Sequence, residues 1–200
     1  MIVLQDLRKR YGGREILSGI TVTLETGRVY AIAGPSGSGK TTLLQILAGY
    51  EHPTSGAVQV SNTLRLEYAP QDFLLFSTLT VWHHMRLKAA ARRLQERWEE
   101  RAHRLLADLG IANHCRARVG MLSGGERRRL QLAIALLPPS DVLLLDEPTS
   151  NLDAMASEQV WETLAREGAG KTMVICSHAP IPSQFEPVRW QLRGGVLDVE

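Results

Sequence analysis

Apolar positions along the chain recur with two periods. The segments MIVLQDL and GITVTLET are short, β-branched or alternating, and bounded by turn residues, which predicts strands. RVYAIAG is a mostly apolar strand running into GPSGSGKTT, and TTLLQILAG then sets Leu43, Leu44, Leu47 and Ala48 on one helical stripe with Gly49 as its stop. HPTSGAVQVSNTLRLEYAPQ returns to turn and strand chemistry. From Thr80 to Leu109 the pattern becomes one long charged helical block, with Leu94, Trp98, Ala102, Leu105 and Leu109 on an apolar face. A helix from Ser123, the strand DVLLLD, a helix near Ala156–Glu167, the strand TMVICS and a closing strand pair in VRWQLRGGVLDVE follow. Strands alternating with helices predict an α/β fold with parallel strands at its core.

Two hundred residues, 44% hydrophobic and 22% charged, suit one soluble domain with a small subdomain. The net charge of +2 is too balanced to point to nucleic acid. Cys115 and Cys176 have no metal-ligand spacing and build no disulfide framework; Cys176 reads as a small buried hydrophobe. No signal core follows the N-terminus. The apolar run from Leu130 to Leu145 is broken by Pro138, Pro139 and Asp141, so any membrane-spanning part is expected from another chain.

The motif GPSGSGKT, Gly34 to Thr41, matches a phosphate loop between strand and helix. Gly34, Gly37 and Gly39 let successive N–H groups turn toward phosphate oxygens, with Pro35, Ser36 and Ser38 completing the loop. The helix start adds its positive end. Lys40 can reach the β- and γ-phosphates, Thr41 can ligate Mg²⁺ and Thr42 can meet the α-phosphate. Asp146 and Glu147 end the apolar strand DVLLLDE. A parallel sheet delivers such carboxylates beside bound ligand, Asp146 for Mg²⁺ and Glu147 to polarise a water for attack on the γ-phosphate. No guanine-reading N-K-x-D is present. Tyr11 can stack on a purine, although taken alone it reads as an ordinary loop tyrosine.

In order along the chain, these residues resemble the nucleotide-binding subunit of ATP-binding-cassette (ABC) transporter ATPases. Tyr11 matches the aromatic loop, Gln71 in YAPQD the glutamine loop, LSGGE (Leu122–Glu126) the signature, VLLLDE the acidic strand, SNLD (Ser150–Asp153) the D-loop, and His178 in CSHAP the switch histidine. The resemblance implies a P-loop NTPase core of parallel sheet, an N-terminal antiparallel β part and an inserted helical subdomain, with core residues 1–71 and 119–200 and the insert at about 72–118. It implies ATP and Mg²⁺ as cofactors and a head-to-tail dimer, with an identical chain or a paralogue. Ser123, Gly124 and Gly125 would meet the nucleotide held by the partner, and Asp153 would act across the interface. Glu147, His178 and Gln71 are the implied catalytic set, with Thr41, Gln71 and Asp146 around the metal.

The implied function is an ATPase that powers a separate integral membrane permease, docked on Asp72–Met85 and the insert, on the cytoplasmic face of the membrane. A soluble ABC ATPase acting on ribosomes or DNA is the competing reading; the double cassettes or coiled-coil and zinc insertions typical of those relatives are missing here. A P-loop kinase or GTPase switch is opposed by the signature and D-loop. Arg127, Arg128 and Arg129 read as a solvated helix face, so no nucleic acid is expected. Adjacent His83 and His84 point apart on a helix and read as no metal pair. Ala179 and Pro180 stand where the family often has an acidic residue. The chain ends soon after His178, which predicts no accessory regulatory domain. HPTSGAV resembles the lipid- and pigment-exporter branch and EPTSNLD the lipoprotein- and macrolide-type exporters, leaving the subfamily open.

Overall fold

The computed structural model describes residues 1–61, 63–72, 75–95 and 97–199, which form two compact units. The first comprises Met1–Gln71, Ser140–Glu147 and Gly168–Glu200; the second comprises Asp72–Pro139 and Pro148–Glu167. Phe73 and Leu74 of the expected docking segment, and the final Glu200 of the closing strand pair, lie outside the described residues.

Two sheets build the first unit. Strands β1 (Ile2–Tyr11), β2 (Arg14–Leu24) and β4 (Ser55–Val60) form an antiparallel sheet in the order β2-β1-β4. Tyr11 pairs with Arg14 across a turn at Gly12 and Gly13, so it ends a strand and does not sit in an open loop. The second sheet runs β5-β6-β7-β3-β8-β9, from β3 (Val29–Ala33), β5 (Leu66–Ala69), β6 (Val142–Asp146), β7 (Thr172–Cys176), β8 (Val188–Arg193) and β9 (Val196–Val199). Its first five strands are parallel, and β9 returns antiparallel on β8.

Every residue of β6 and β7 is buried, which is why these strands read as unbroken apolar runs without alternation. Helix α1 (Lys40–Leu47) places Leu43, Leu44 and Leu47 in one core with Leu4, Leu7 and Leu17 of the first sheet and Ile32, Leu144 and Val174 of the second. Cys176 is fully buried in that core, and burial pushes its thiol well above its ordinary pKa. At the strand starts, Arg65 donates from Nη2 and Nε to the Asp141 carboxylate at 3.0 and 3.1 Å, and its N–H donates to Asp141 Oδ2 at 2.8 Å.

The second unit is helical. Its first two helices, α2 (Val81–Ala91) and α3 (Trp98–Asp108), replace the single block expected from Thr80 to Leu109. The cause is a C-terminal motif at the end of α2: Leu94 N–H donates to Ala89 O at 2.9 Å and Arg93 N–H to Ala90 O at 3.0 Å, with Arg93 left-handed at φ 51°. Arg97, also left-handed, opens α3. Ala102, Leu105 and Leu109 of the expected stripe are buried, as is Leu106, but Leu94 lies outside either helix. Trp82 stacks between Trp98 and His103 at 5.5 and 4.4 Å. His84 is a turn-closing residue: its Nε2 accepts from Phe76 N–H at 2.9 Å and its Nδ1 lies 2.9 Å from Thr80 O.

Helix α4 (Gly124–Leu136) begins with a capping box. Glu126 N–H donates to Ser123 Oγ at 3.2 Å, and Ser123 N–H donates to Glu126 Oε2 at 2.7 Å. Arg127, Arg128 and Arg129 are not the solvated face expected of them. Arg128 is fully buried and donates to Gln131 Oε1, Arg127 Nε donates to Leu122 O, and Arg129 Nη1 donates to Leu109 O. Arg128 lies on the packed side of α4, while Arg127 and Arg129 are half-buried with internal carbonyl acceptors. Helix α5 (Ala154–Gly168) is capped by Asp153, whose Oδ1 accepts from Ala156 N–H at 2.8 Å. Among the described residues no helix is long and apolar enough to cross a membrane.

Candidate nucleotide site

The first unit holds a cavity of about 380 Å³ at the carboxyl ends of its parallel strands, where ligands collect in such sheets. Its walls are Tyr11, Arg14 and Ile16 of the antiparallel sheet, Ser36, Gly37, Gly39, Lys40, Thr41 and Thr42 of the loop and α1, and Gln71, Asp146, Glu147 and His178 after β5, β6 and β7. A larger cavity of about 470 Å³ in the helical unit is lined by Arg97, Trp98 and Arg101. There Arg101 is committed to Leu136 O, Leu137 O and Glu167. Chemistry, not size, selects the first.

The loop between β3 and α1 uses three left-handed glycines, Gly34, Gly37 and Gly39, at φ 156°, 76° and 105°. Two of these positions are also crowded. A Cβ on Gly34 would lie 2.3 Å from Leu192 O, and one on Gly39 would lie 2.9 Å from Leu17 Cδ2. Gly39 supplies no side-chain cap to α1, which leaves first-turn N–H groups for an anion. The Lys40 ammonium, largely buried, donates to Gly34 O at 2.8 Å and Pro35 O at 3.2 Å. Ser38 Oγ is buried and has no hydrogen-bond partner among the described residues. A concave loop of exposed donors with a lysine behind it fits a polyphosphate.

Opposite the loop stand the carboxylates. Asp146 is 1% exposed and Glu147 8%, so both charges are held away from bulk water. Glu147 adopts φ 52°, a conformation that costs a non-glycine residue about 1–3 kcal/mol. It is held there by its N–H donating to Cys176 O at 2.8 Å, and its Oε2 accepts from His178 N–H at 3.2 Å. His178 Nε2 lies 3.5 Å from Glu147 Oε1, while its ring remains mostly exposed. The Thr41 hydroxyl, the Gln71 amide and the Asp146 carboxylate line the same cavity and offer the hard oxygen donors that Mg²⁺ takes.

Tyr11 lines the cavity at the far side. Its hydroxyl donates to Glu51 Oε2 at 3.0 Å, and the Lys9 ammonium lies 4.7 Å from its ring centroid. Burial together with the Glu51 bond raises the tyrosine pKa.

The cavity therefore gathers Tyr11, Ser36, Gly37, Gly39, Lys40, Thr41, Thr42, Gln71, Asp146, Glu147 and His178, and Gly34, Pro35 and Ser38 belong to its loop. Ser123, Gly124, Gly125 and Asp153 belong to the helical unit. There a Cβ on Gly125 would lie 3.1 Å from Leu152 Cδ2, so the signature turn packs beside the D-loop. Sequence reasoning missed Arg14, Ile16 and Glu51. Arg14 could be found only from the hairpin register that pairs it with Tyr11.

A family model described as ABC transporter matches residues 17–150. The chain is 37% identical over 185 residues to the ABC transporter ATP-binding/permease protein Rv1747 of Mycobacterium tuberculosis, covering 84% of this chain and 21% of that protein. It is 34% identical over 180 residues to the zinc import ATP-binding protein ZnuC of Halorhodospira halophila, covering 89% of this chain and 68% of that one. The chain thus spans about a fifth of the mycobacterial relative's length and about two thirds of the other's. Among solved structures, the dimeric post-hydrolysis state of the ATP-binding cassette MJ0796, bound to ADP and Pi, superposes with a TM-score of 0.89 at 26% identity. That match covers 100% of this chain and 98% of that one. With the phosphate loop, the acidic strand end and the signature all present in one α/β fold, the chain belongs to the ABC transporter family as an ATP-binding, ATP-hydrolysing cassette.

Proposed function

We propose that the chain works as one half of a head-to-tail pair of cassettes, identical or paralogous, that closes around ATP and drives a separate membrane permease. The observation that carries this reading is the single cavity uniting Lys40, Thr41, Gln71, Asp146, Glu147 and His178. Within it the loop N–H groups and Lys40 bind and orient the polyphosphate. Thr41, Gln71 and Asp146 would hold Mg²⁺, which would offset charge on the phosphate oxygens. Glu147 takes a proton from the attacking water, and the His178 main chain keeps the carboxylate aimed.

The signature turn supports pairing. Ser123 and Gly124 are exposed at the start of the thirteen-residue α4, and a Cβ on Gly124 would meet open space. A helix end so presented suits the terminal phosphate of a nucleotide held by a second copy. Asp153, which caps α5 with one oxygen, stands in the D-loop and faces the same interface in this reading. The permease docks on Asp72–Met85 and the helices after it, placing the chain peripherally on the cytoplasmic side of the membrane. Co-purification of the tagged chain with a polytopic membrane protein is the expected result; co-sedimentation with ribosomes, with no membrane protein retained, would overturn the transport reading.

A further inference from the structure

We propose that Lys9 and Glu51 are positioning residues that hold the Tyr11 ring as a preformed stacking platform for the nucleotide base, coupled to the helix that leaves the phosphate loop. The inference rests on reading the cavity as the nucleotide site, and it assigns work to two residues that belong to none of the family's motifs quoted above.

The geometry is a connected set of contacts, to which the Thr42 side chain adds a hydrogen bond with Tyr11. Glu51 Oε2 accepts from the Tyr11 hydroxyl at 3.0 Å, and Glu51 Oε1 accepts from Lys9 Nζ at 2.7 Å and from His52 N–H at 3.1 Å. Lys9 Nζ donates a second bond to His52 O at 2.7 Å and lies 4.7 Å from the centre of the Tyr11 ring. The lysine side chain is only 10% exposed, unusual for its type, and its buried charge is satisfied by this one carboxylate, one carbonyl and one ring. Those bonds hold the Glu51 carboxyl at a pKa of about 2, so it stays ionised at neutral pH.

The anchor is fixed in turn to α1. Gly49 N–H donates to Ile46 O at 3.1 Å and Tyr50 N–H to Gln45 O at 2.9 Å, the same C-terminal motif that ends α2, and Glu51 N–H adds a bond to Gln45 O at 3.2 Å. One end of α1 thus carries Lys40, Thr41 and Thr42 into the cavity, and the residues leaving its other end hold the aromatic ring in the same cavity. Tyr11 itself is 46% exposed. Without an anchor such a ring samples several rotamers, and a base must order it on binding; with the anchor that ordering is complete beforehand.

A merely structural ion pair would support the fold without distinguishing a base from a phosphate chain, and this separates the readings. ATP and inorganic tripolyphosphate are titrated into wild-type protein, Tyr11→Phe, Glu51→Ala and the double variant. Tyr11→Phe deletes one oxygen and keeps the ring, so it carries the test even where Glu51→Ala folds poorly. The expected result is ATP binding weakened roughly three- to tenfold in each single variant, about the cost of ordering one side chain. The double variant should be weaker than the worse single by less than the two losses combined, because both break the Tyr11–Glu51 bond. Tripolyphosphate affinity should stay at its wild-type value throughout. Wild-type ATP affinity in Tyr11→Phe, or a parallel loss for tripolyphosphate, would overturn the proposal. Wild-type protein that binds neither ligand would overturn the nucleotide reading beneath it.

Discussion

The His178 main chain, and not only its ring, touches Glu147: the backbone N–H donates to Oε2 at 3.2 Å while Nε2 stands 3.5 Å from Oε1. Because β7 runs parallel to β6 and pairs Asp146 with Cys176, the residue one beyond Asp146 meets the residue two beyond Cys176. The glutamate is therefore held by a main-chain group that no substitution at 178 except proline removes. Glu147→Gln keeps the shape of this arrangement and, on the reading proposed above, removes the base. ATP binding should persist while turnover falls by at least roughly two orders of magnitude. Single-turnover hydrolysis measured alongside nucleotide binding checks this, and near-normal turnover would remove Glu147 from the role.

Ser123→Arg places a long cation at the exposed start of α4. Nucleotide binding by the single chain should survive, and ATP-dependent dimers of the Glu147→Gln background should disappear on gel filtration. The substitution also removes the hydroxyl that accepts Glu126 N–H, worth about 1 kcal/mol. Ser123→Ala carries that stability loss alone. Retained dimers in Ser123→Ala but not in Ser123→Arg separate the interface effect from the cap.

Arg93 occupies the left-handed position that ends α2, which glycine fills after α1 and α3 at Gly49 and Gly110. Arg93→Gly should unfold at higher urea than Arg93→Ala by about 1 kcal/mol, the cost of a Cβ in that conformation. Equal stabilities would show that the turn relaxes in solution.

The Arg65 guanidinium and main chain hold the Asp141 carboxyl at about 2, down from 3.8. A carboxyl lowered by folding stabilises the protein above its unfolded pKa, and that increment is lost as pH falls through the folded value. The stability of the wild-type protein should therefore drop between about pH 4 and pH 2, and Asp141→Asn should lack this component of the drop. Both side chains are partly exposed, so the increment is modest. Urea midpoints at stepped pH in both proteins measure it.

Much of this molecule was legible because its chemistry is local. A phosphate loop, a strand ending in two carboxylates and a capping box are short patterns whose neighbours in sequence are also neighbours in space. The helix ends show where legibility stops. Gly49 and Gly110 announce their turns, but Arg93 makes the same turn without a glycine, and α2 and α3 read as one helix. Arg128 reads as solvated because its acceptor Gln131, one turn on in the same helix, does not reveal that α4 is packed on that side. Glu51 was invisible for the opposite reason: it stands 40 residues from Tyr11, and nothing near either residue marks the other.

On the proposed reading, the eight residues of α1, about 12 Å of helix, set the spacing between two parts of the ligand site. One end would position the phosphate oxygens, and the residues leaving the other hold the tyrosine. Inserting or deleting one residue in this helix would rotate its two ends by about 100° relative to each other without altering any contacting side chain. On the reading proposed above, the number of residues between Lys40 and Glu51 would therefore matter to this site as much as their identity.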